Sequence, residues 1–334
     1  MTQPTMADIA DHLGISRPLV SIVLRNAPGA SEQTRQRVLQ AARELGYTPH
    51  QGARSLRQTR SWHLGVTFVP VHASEPEIIE SVYAAAAEHG YQVLLSAQTP
   101  ARDQHQTVEE LLSYRCAAVL ALGSELTHVQ LKALADRAGV PTVLVGTGHR
   151  KASYDVVHSD GQHGIAQAVE HLAGLGHRHL AYLHCPALPS AAERLRGHQR
   201  RRPRRAAQPG VEVRELGYTE EAGSEAARRL LAGTALPTAL VAGNDQQAVG
   251  AMWVLARAGI SIPEQLSVTG YDDTRFARLT AVDLTTASQD TVALGRRAVE
   301  AAVRRIEQPG LPPQRTPVEP RLIVRSSTGP PPAG

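Results

Sequence analysis

The chain has 334 residues, of which 42% are hydrophobic and 20% are charged. This length and apolar content suffice for more than one compact core and exclude an intrinsically disordered protein. No apolar run reaches the roughly 18 residues of a membrane span, and the first residues, MTQPTMADIADHLG, lack the basic start and apolar core of a signal peptide. We therefore expect a cytoplasmic protein with no membrane partner.

Cysteine and histidine give no indication of a disulfide or a metal site. Cys116 and Cys185 each lie in an apolar stretch, which is typical of small buried side chains. The 15 histidines show no H-E-x-x-H spacing, and the sequence contains no C-x-x-C. We predict neither a metal nor a cofactor.

The excess positive charge is confined to the N-terminal part of the chain. Residues 1–60 hold eight arginines against four acidic residues, whereas the remaining 274 residues hold 27 of each sign. Such an imbalance is typical of a small module that binds a polyanion such as DNA. Charge alone is equally compatible with a solvated basic end.

Residues 5–46 have the pattern of three short helices. The first has apolar positions at Met6, Ile9 and Leu13 and ends at Gly14. The second follows Ser16 as its N-cap, and the third follows Ser31 and ends at Gly46. A helix, a turn at Gly14 and a second helix form the layout of a helix-turn-helix motif.

From His63 onward, apolar strands alternate with amphipathic helices. One set begins with HLGVTFVPV and ends with PTVLVG; a second set runs from VVHSD to SVTGYDD and includes VEVRELGY, residues 211–218, as a strand. This alternation predicts parallel sheets covered by helices on both faces, and the two sets predict two α/β lobes. A ligand would bind in the crevice at the carboxyl ends of the strands.

Several motifs, in this order, resemble those of the lactose/galactose-repressor (LacI/GalR) family of transcription regulators. The N-terminal motifs are TMADIADHLGIS, GASEQTRQRV, ARELGYTP and ARSLR. The later motifs are HLAGLGHRHLAYL, ERLRG, PTALVAGNDQQAVGAMWVLARAGISIPEQLSVTGYDD, LTTASQD and LIVRSST. The resemblance extends over essentially the whole chain.

The resemblance implies a helix-turn-helix DNA-binding domain and a two-lobed, periplasmic-binding-protein-like (type I) effector domain with parallel sheets. The DNA-binding domain would span residues 1–49, the hinge 50–61 and the effector domain 62–328, followed by a tail at 329–334. One lobe would hold residues 62–160 and about 291–320, and the other 161–290 and the C-terminal strand. A homodimer would bind a pseudo-palindromic operator, most often as a repressor, under control of a sugar, nucleobase or nucleoside between the lobes.

In similar proteins the hinge folds into a short helix on the operator, and its leucine enters the minor groove as a wedge. Leu56 matches that leucine, with Arg54 and Ser55 beside it. Unstacking a base step costs a few kcal/mol, which the contacts of the bent duplex offset. A flexible tether with an incidental leucine is the alternative. Gly52 occupies a hinge-helix position where glycine costs up to about 1 kcal/mol relative to alanine, which predicts a more readily melted hinge.

The recognition helix is predicted over Ser16–Arg25, with its N-terminal residues toward base edges. Arg17 is suited to guanine, whereas Ile22 replaces a residue that is commonly arginine and predicts a different operator half-site. The remaining DNA-contact candidates reach phosphates or bases: Thr5, Pro18, Ser21, Arg25, Asn26, Ser31, Thr34 and Arg35.

Residues that match the family's effector cleft are Asp160, Arg194, Asn244, Asp272 and Gln289. Two carboxylates, a guanidinium and two amides suit a polyhydroxylated ligand. Phe68 and Tyr218 are the candidate stacking platforms. Asp245 opens a helix and is interpreted first as its cap, and Trp253 as packing or dimer surface.

The segment RLRGHQRRRPRRAAQPGV, residues 194–211, departs from the family. It holds seven arginines, and Pro203 would end a helix there. We interpret it as a solvated basic loop or as a second contact to a polyanion.

Two other classes of protein share the α/β architecture. An enzyme would need a nucleophile beside a base or a carboxylate pair, yet Asp272 and Asp273 are adjacent in a strand and point to opposite faces. A periplasmic solute-binding protein would need an export signal. We therefore expect a DNA-binding regulator and no enzyme.

Overall fold

The computed structural model describes residues 4–24, 27–47, 61–124, 126–146, 154–184, 190–201 and 217–332. Two compact units divide the chain, Met1–Ser61 and Trp62–Gly334. None of the helices within the described ranges is long and apolar enough to cross a bilayer.

The first unit is the predicted helix-turn-helix. Its helices are α1 (Met6–Leu13), α2 (Arg17–Leu24) and α3 (Glu32–Glu44). Gly14 ends α1 with φ 63°, a left-handed conformation that glycine adopts without steric cost. One apolar face of each helix packs into a shared core of Ile9, Ala10, Val20, Val23, Val38, Ala41 and Ala42.

The second unit contains two α/β lobes, as the strand and helix alternation predicts. Lobe 1 carries β1 (His63–Phe68), β2 (Gln92–Ala97), β3 (Ala118–Leu122), β4 (Thr142–Val145), β5 (Asp155–Ser159) and β10 (Arg315–Val318). These strands pair in parallel in the order β10-β5-β4-β3-β1-β2. The helices of lobe 1 are α4 (Glu75–Glu88), α5 (Gln104–Ser113), α6 (His128–Ala138) and α11 (Thr291–Glu307).

Lobe 2 carries the strands β6 (Leu180–Tyr182), β7 (Ala239–Val241), β8 (Ser267–Asp272), β9 (Thr285–Ser288) and β11 (Arg321–Ile323). They follow the order β11-β9-β8-β7-β6, and only the pair of β11 with β9 is antiparallel among these strands. Its helices are α7 (Gly161–Gly174), α8 (Ala191–Arg201), α9 (Glu220–Leu231) and α10 (Asp245–Arg257).

The chain passes between the lobes at three points, after β5, after β9 and after β10. Each crossing leaves from the carboxyl end of a strand. The carboxyl ends of both parallel sheets therefore adjoin the region between the lobes, where a ligand site is expected in open α/β sheets.

Two sequence expectations around α8 have to be corrected. The interpretation of residues 194–211 as a loop is wrong for residues 194–201, because α8 continues as far as Arg201. The predicted strand at 211–218 is not confirmed: Gly217 and Tyr218 form a turn, and residues 202–216 lie outside the described residues.

A buried histidine fastens the C-terminal segment to lobe 2. His177 is fully buried; its Nε2 donates to Gly329 O at 2.8 Å, and its Nδ1 lies 2.9 Å from the Thr238 hydroxyl. Burial lowers the pKa of His177 below its ordinary value of 6.5. The neutral ring is the form that this packing accommodates.

We expect the second unit to lose stability below pH 6.5 through His177. The unfolded chain takes up a proton there and the folded protein does not, so this contribution is complete above pH 6.5 and declines as the pH falls. His177→Gln should flatten the decline between pH 6.5 and 5 by up to about 1.4 kcal/mol per pH unit. Urea unfolding at several pH values measures it. The exposed His179→Gln is the control, and equal slopes in the two variants would contradict the expectation.

Candidate functional site

In the first unit, several predicted DNA-contact residues also cap helices. The Thr5 hydroxyl accepts from Ala7 N at 3.2 Å, and the Asp8 carboxylate accepts from Thr5 N at 2.6 Å. Ser31 Oγ accepts from Thr34 N at 3.2 Å. These bonds fix the first turns of α1 and α3, so the same residues stabilise the fold that presents them.

The N-terminal turn of α2 is exposed at Ser16, Arg17 and Pro18, whereas Ser21 and Ile22 are half-buried. An exposed helix N-terminus with an arginine can donate hydrogen bonds to phosphates or to a guanine edge. Arg35 donates to Ala27 O at 3.0 Å. The other predicted contacts lie outside the described residues: Arg25, Asn26, Arg54, Ser55 and Leu56.

In the second unit, a cavity lies between the two lobes. Five of the seven predicted effector residues line it, all from lobe 2: Arg194, Tyr218, Asn244, Asp272 and Gln289. Phe68 and Asp160 do not line it. Phe68 packs against the core of lobe 1, and Asp160 caps α7 by accepting from His163 N at 3.0 Å.

Arg194 is the centre of the lobe 2 wall. The α8 helix carries it into a buried position, where Nη1 donates to Gly243 O at 2.5 Å and Nη2 lies 3.4 Å from Asp272 Oδ1. Its guanidinium carbon lies 4.0 Å from the ring centroid of Tyr271 and 5.0 Å from that of Tyr218. The aromatic faces and the carboxylate together compensate a buried positive charge.

Asp272 and Gln289 come from the ends of the neighbouring strands β8 and β9. Gln289 Nε2 donates to Asp272 Oδ1 at 2.5 Å, so this carboxylate oxygen receives bonds from both Gln289 and Arg194. Asp273 turns away and binds Arg325 at 2.7 Å. The two adjacent aspartates thus have separate partners. The prediction that both lie in the strand is wrong, because β8 ends at Asp272 and Asp273 follows it with φ 53°.

Both polar atoms of the Asn244 side-chain amide form hydrogen bonds within the lobe 2 wall. Its Oδ1 accepts from Gln247 N at 3.0 Å, which caps α10, and its Nδ2 donates to Tyr218 O at 3.1 Å. The residue reaches the cavity lining and also fixes the turn that carries Tyr218.

The interpretation of Asp245 as a helix cap is wrong, because Asn244 is the cap. Asp245 is fully buried, and its carboxylate accepts from Thr274 N at 2.7 Å and from the Thr286 hydroxyl at 2.5 Å. It ties the start of α10 to the segments after β8 and in β9. Burial, followed by the nearby Asp272, raises the pKa of Asp245 to about 8.

The raised pKa of Asp245 predicts that the free energy of unfolding depends on pH in the direction opposite to that predicted for His177. A folded-state pKa above the unfolded value of roughly 3.9 stabilises the protein at low pH, and the contribution declines as the pH rises toward 8. Relative to Asp245→Asn, the wild-type free energy of unfolding should fall by up to about 1.4 kcal/mol per pH unit between pH 5 and 8. Parallel curves for the two proteins in urea unfolding would refute this.

Lobe 1 contributes lining residues that the sequence patterns did not reveal, chiefly His72, Glu75 and Ser124. Glu75 lies in the first turn of α4, where an acidic residue is common and gives no special signal. Gln246 of lobe 2 was missed as well. Its Oε1 accepts from Ala73 N at 3.1 Å and its Nε2 donates to Glu220 at 3.0 Å, so it bridges the lobes beside the cavity.

Comparisons with known proteins agree with this architecture. A family model described as bacterial regulatory proteins, lacI family, matches residues 5–50, and a periplasmic binding protein-like domain matches residues 169–328. These matches confirm the predicted fold class.

Individual relatives match over nearly the whole chain. The HTH-type transcriptional repressor PurR of Haemophilus influenzae is 31% identical over 331 residues, which cover 97% of this chain and 98% of that protein. A LacI transcriptional regulator from a Rhodococcus species is 36% identical with a TM-score of 0.75, covering 80% of this chain and 98% of that one. A lac repressor dimer bound to operator and the anti-inducer ONPF is 27% identical with a TM-score of 0.84, covering 98% and 100%. This chain belongs to the lacI family of bacterial regulatory proteins.

Proposed function

We propose that this protein is a dimeric transcriptional repressor whose affinity for a pseudo-palindromic operator is set by a small molecule bound between the two lobes. The observation that carries the proposal is a helix-turn-helix unit in the same chain as an interlobe cavity lined by Arg194, Asp272 and Gln289. The relatives bear the names of bacterial transcription regulators. These names support a role for the cavity in binding a small molecule, and they support a location of this protein in the bacterial cytoplasm.

Operator contacts are assigned to the exposed start of α2 and to the hinge. Arg17 reads a base edge, Leu56 acts as the minor-groove wedge, and the caps of α1 and α3 meet phosphates. The other assigned residues are Thr5, Ser16, Pro18, Ser21, Ile22, Arg25, Asn26, Ser31, Thr34, Arg35, Arg54 and Ser55. The exposed Trp253 on α10 is assigned to the surface between protomers.

The effector is a sugar, nucleobase or nucleoside held by Arg194, Tyr218, Asn244, Asp272 and Gln289. Their donors and acceptors converge in a buried setting, which suits a ligand with several hydroxyl or amide groups. The lac repressor relative holds operator and an anti-inducer in one structure, which supports both classes of partner here.

Selection of binding sites from random duplex DNA, at about 150 mM salt to weaken non-specific contacts, tests the DNA part of the proposal. Enrichment of a pseudo-palindrome with a deformable pyrimidine-purine step at its centre is expected. If no sequence is enriched, the selection is repeated with sugars and nucleobases present, because a corepressor can be required. Failure under all these conditions would refute specific operator binding.

Asp272→Asn tests the effector part. The amide keeps an oxygen acceptor for Gln289 but removes the charge that faces Arg194, so the variant should bind the selected operator with near wild-type affinity and lose the response to any compound that alters wild-type binding. Fluorescence anisotropy of labelled operator measures both quantities. An unaltered response would remove Asp272 from the site.

A further inference from the structure

The lobe 1 wall of the cavity carries a buried carboxylate. Glu75, the first residue of α4, is only 3% exposed and lines the cavity. Its Oε2 accepts from Val69 N at 2.7 Å, and its Oε1 accepts from Nδ1 of His72 at 2.6 Å. These two donors hold both carboxylate oxygens in place. A carboxylate has about four lone-pair directions in all, so the two hydrogen bonds leave about two directions for further donors.

The backbone at Gly123 lies against the Glu75 and His72 side chains and leaves no room for a side chain of its own. Gly123 follows β3 with φ +56°, and a Cβ atom there would overlap both Glu75 Oε1 and His72 Nδ1. Any other residue at 123 would have to displace the carboxylate. The N-terminus of α4, which begins at Glu75, also favours a negative charge at this position.

A buried carboxylate is costly to the fold unless donors satisfy it. Burial raises the pKa of Glu75, while the hydrogen bond from His72 opposes that rise. A further donor from a molecule in the cavity would stabilise the charged form, and a negative group would destabilise it. On the opposite wall, the positive charge of Arg194 already faces Asp272.

We infer that Glu75 is a specificity-determining residue of the effector site, which accepts a hydrogen bond from a hydroxyl or amino group of the effector and disfavours an anionic group. The inference rests on the proposed effector function of the same cavity. Recognition then uses both lobes: a carboxylate from lobe 1, and Arg194 with Gln289 from lobe 2.

The test uses five neutral compounds, each paired with an anionic relative. The pairs are D-ribose with its 5-phosphate, D-glucose with its 6-phosphate, D-galactose with D-galacturonate, cellobiose with cellobionate, and adenosine with its 5′-monophosphate. Calorimetric titration of the full chain gives a Kd for each. At least one neutral compound should bind, about tenfold or more tightly than its anionic relative.

Glu75→Gln should weaken the binding of that neutral compound by about 10- to 100-fold. It should also reduce the ratio between the Kd of the anionic relative and the Kd of the neutral compound. Glu75→Asp keeps the charge, so it should retain the discrimination even if affinity falls. Glu80→Gln, on an exposed position of the same helix, should change neither quantity. Operator binding by each variant verifies that it is folded.

The inference is overturned if no neutral compound binds, if Glu75→Gln keeps a Kd within about twofold of wild type, or if its discrimination is unchanged. Asp272→Asn, titrated with the same compound, separates two failures. Loss of binding in Asp272→Asn but not in Glu75→Gln would overturn the role of Glu75 alone. Wild-type binding in both variants would overturn the proposed effector site itself.

Discussion

Asp272→Ala is expected to lower the free energy of unfolding of the second unit by about 3–5 kcal/mol, because it leaves the buried Arg194 without its carboxylate. A guanidinium does not lose its proton in proteins, so it cannot escape the cost by becoming neutral. Urea unfolding measures the change through fluorescence of Trp62 and Trp253. These are the only tryptophans in the sequence, and both belong to this unit.

Arg194→Met should cost less than Asp272→Ala. Burial raises the pKa of Asp272 to about 6, and removing Arg194 removes the strongest influence that lowers it, so this carboxyl can bind a proton and still accept from Gln289. The double variant should be more stable than the sum of the single losses predicts, because the residues contact each other. Additive losses, or a larger loss for Arg194→Met, would contradict this description of the pair.

The alternation of strands and helices was sufficient to predict the fold and the edge of the sheets where the cavity lies. Carboxyl ends of neighbouring parallel strands lie side by side, so residues at the ends of β8 and β9 had to be neighbours, and Asp272 and Gln289 are. Arg194 was predicted only through the resemblance of ERLRG to a family motif. No periodicity places a helical arginine opposite a strand end.

The errors arise where the local sequence permits more than one role. Asn244 and Asp245 are both good cap residues, and only the tertiary donors Thr274 and Thr286 decide that Asp245 is buried in another role. Glu75 has the same local pattern as an ordinary first-turn acid. Its burial depends on Gly123, 48 positions later in the chain, which sequence patterns of short range do not register.

Gly250→Ala is expected to destabilise the second unit by about 3 kcal/mol, at the upper end for overpacking. A Cβ at Gly250 would overlap the backbone carbonyl of Glu220, at the crossing of α9 and α10. Backbone cannot move aside as a flexible side chain can, so the helices must separate. This separation would also disrupt the hydrogen bond that Ser224 Oγ donates to Gly250 O at 3.1 Å.

Gly174→Ala is the matched control, since it ends α7 and a Cβ there meets nothing within 4 Å. It should be neutral or stabilise the unit by about 0.5 kcal/mol, because alanine is the better helix former. Separation of α9 from α10 would also move the start of α10, where Gln246 bridges to Ala73 and Glu220. Gly250→Ala should therefore increase amide exchange at Ala73 while Gly174→Ala does not. A loss in Gly250→Ala of less than about 1 kcal/mol, with normal exchange at Ala73, would show that this helix crossing does not set the position of the interlobe bridge.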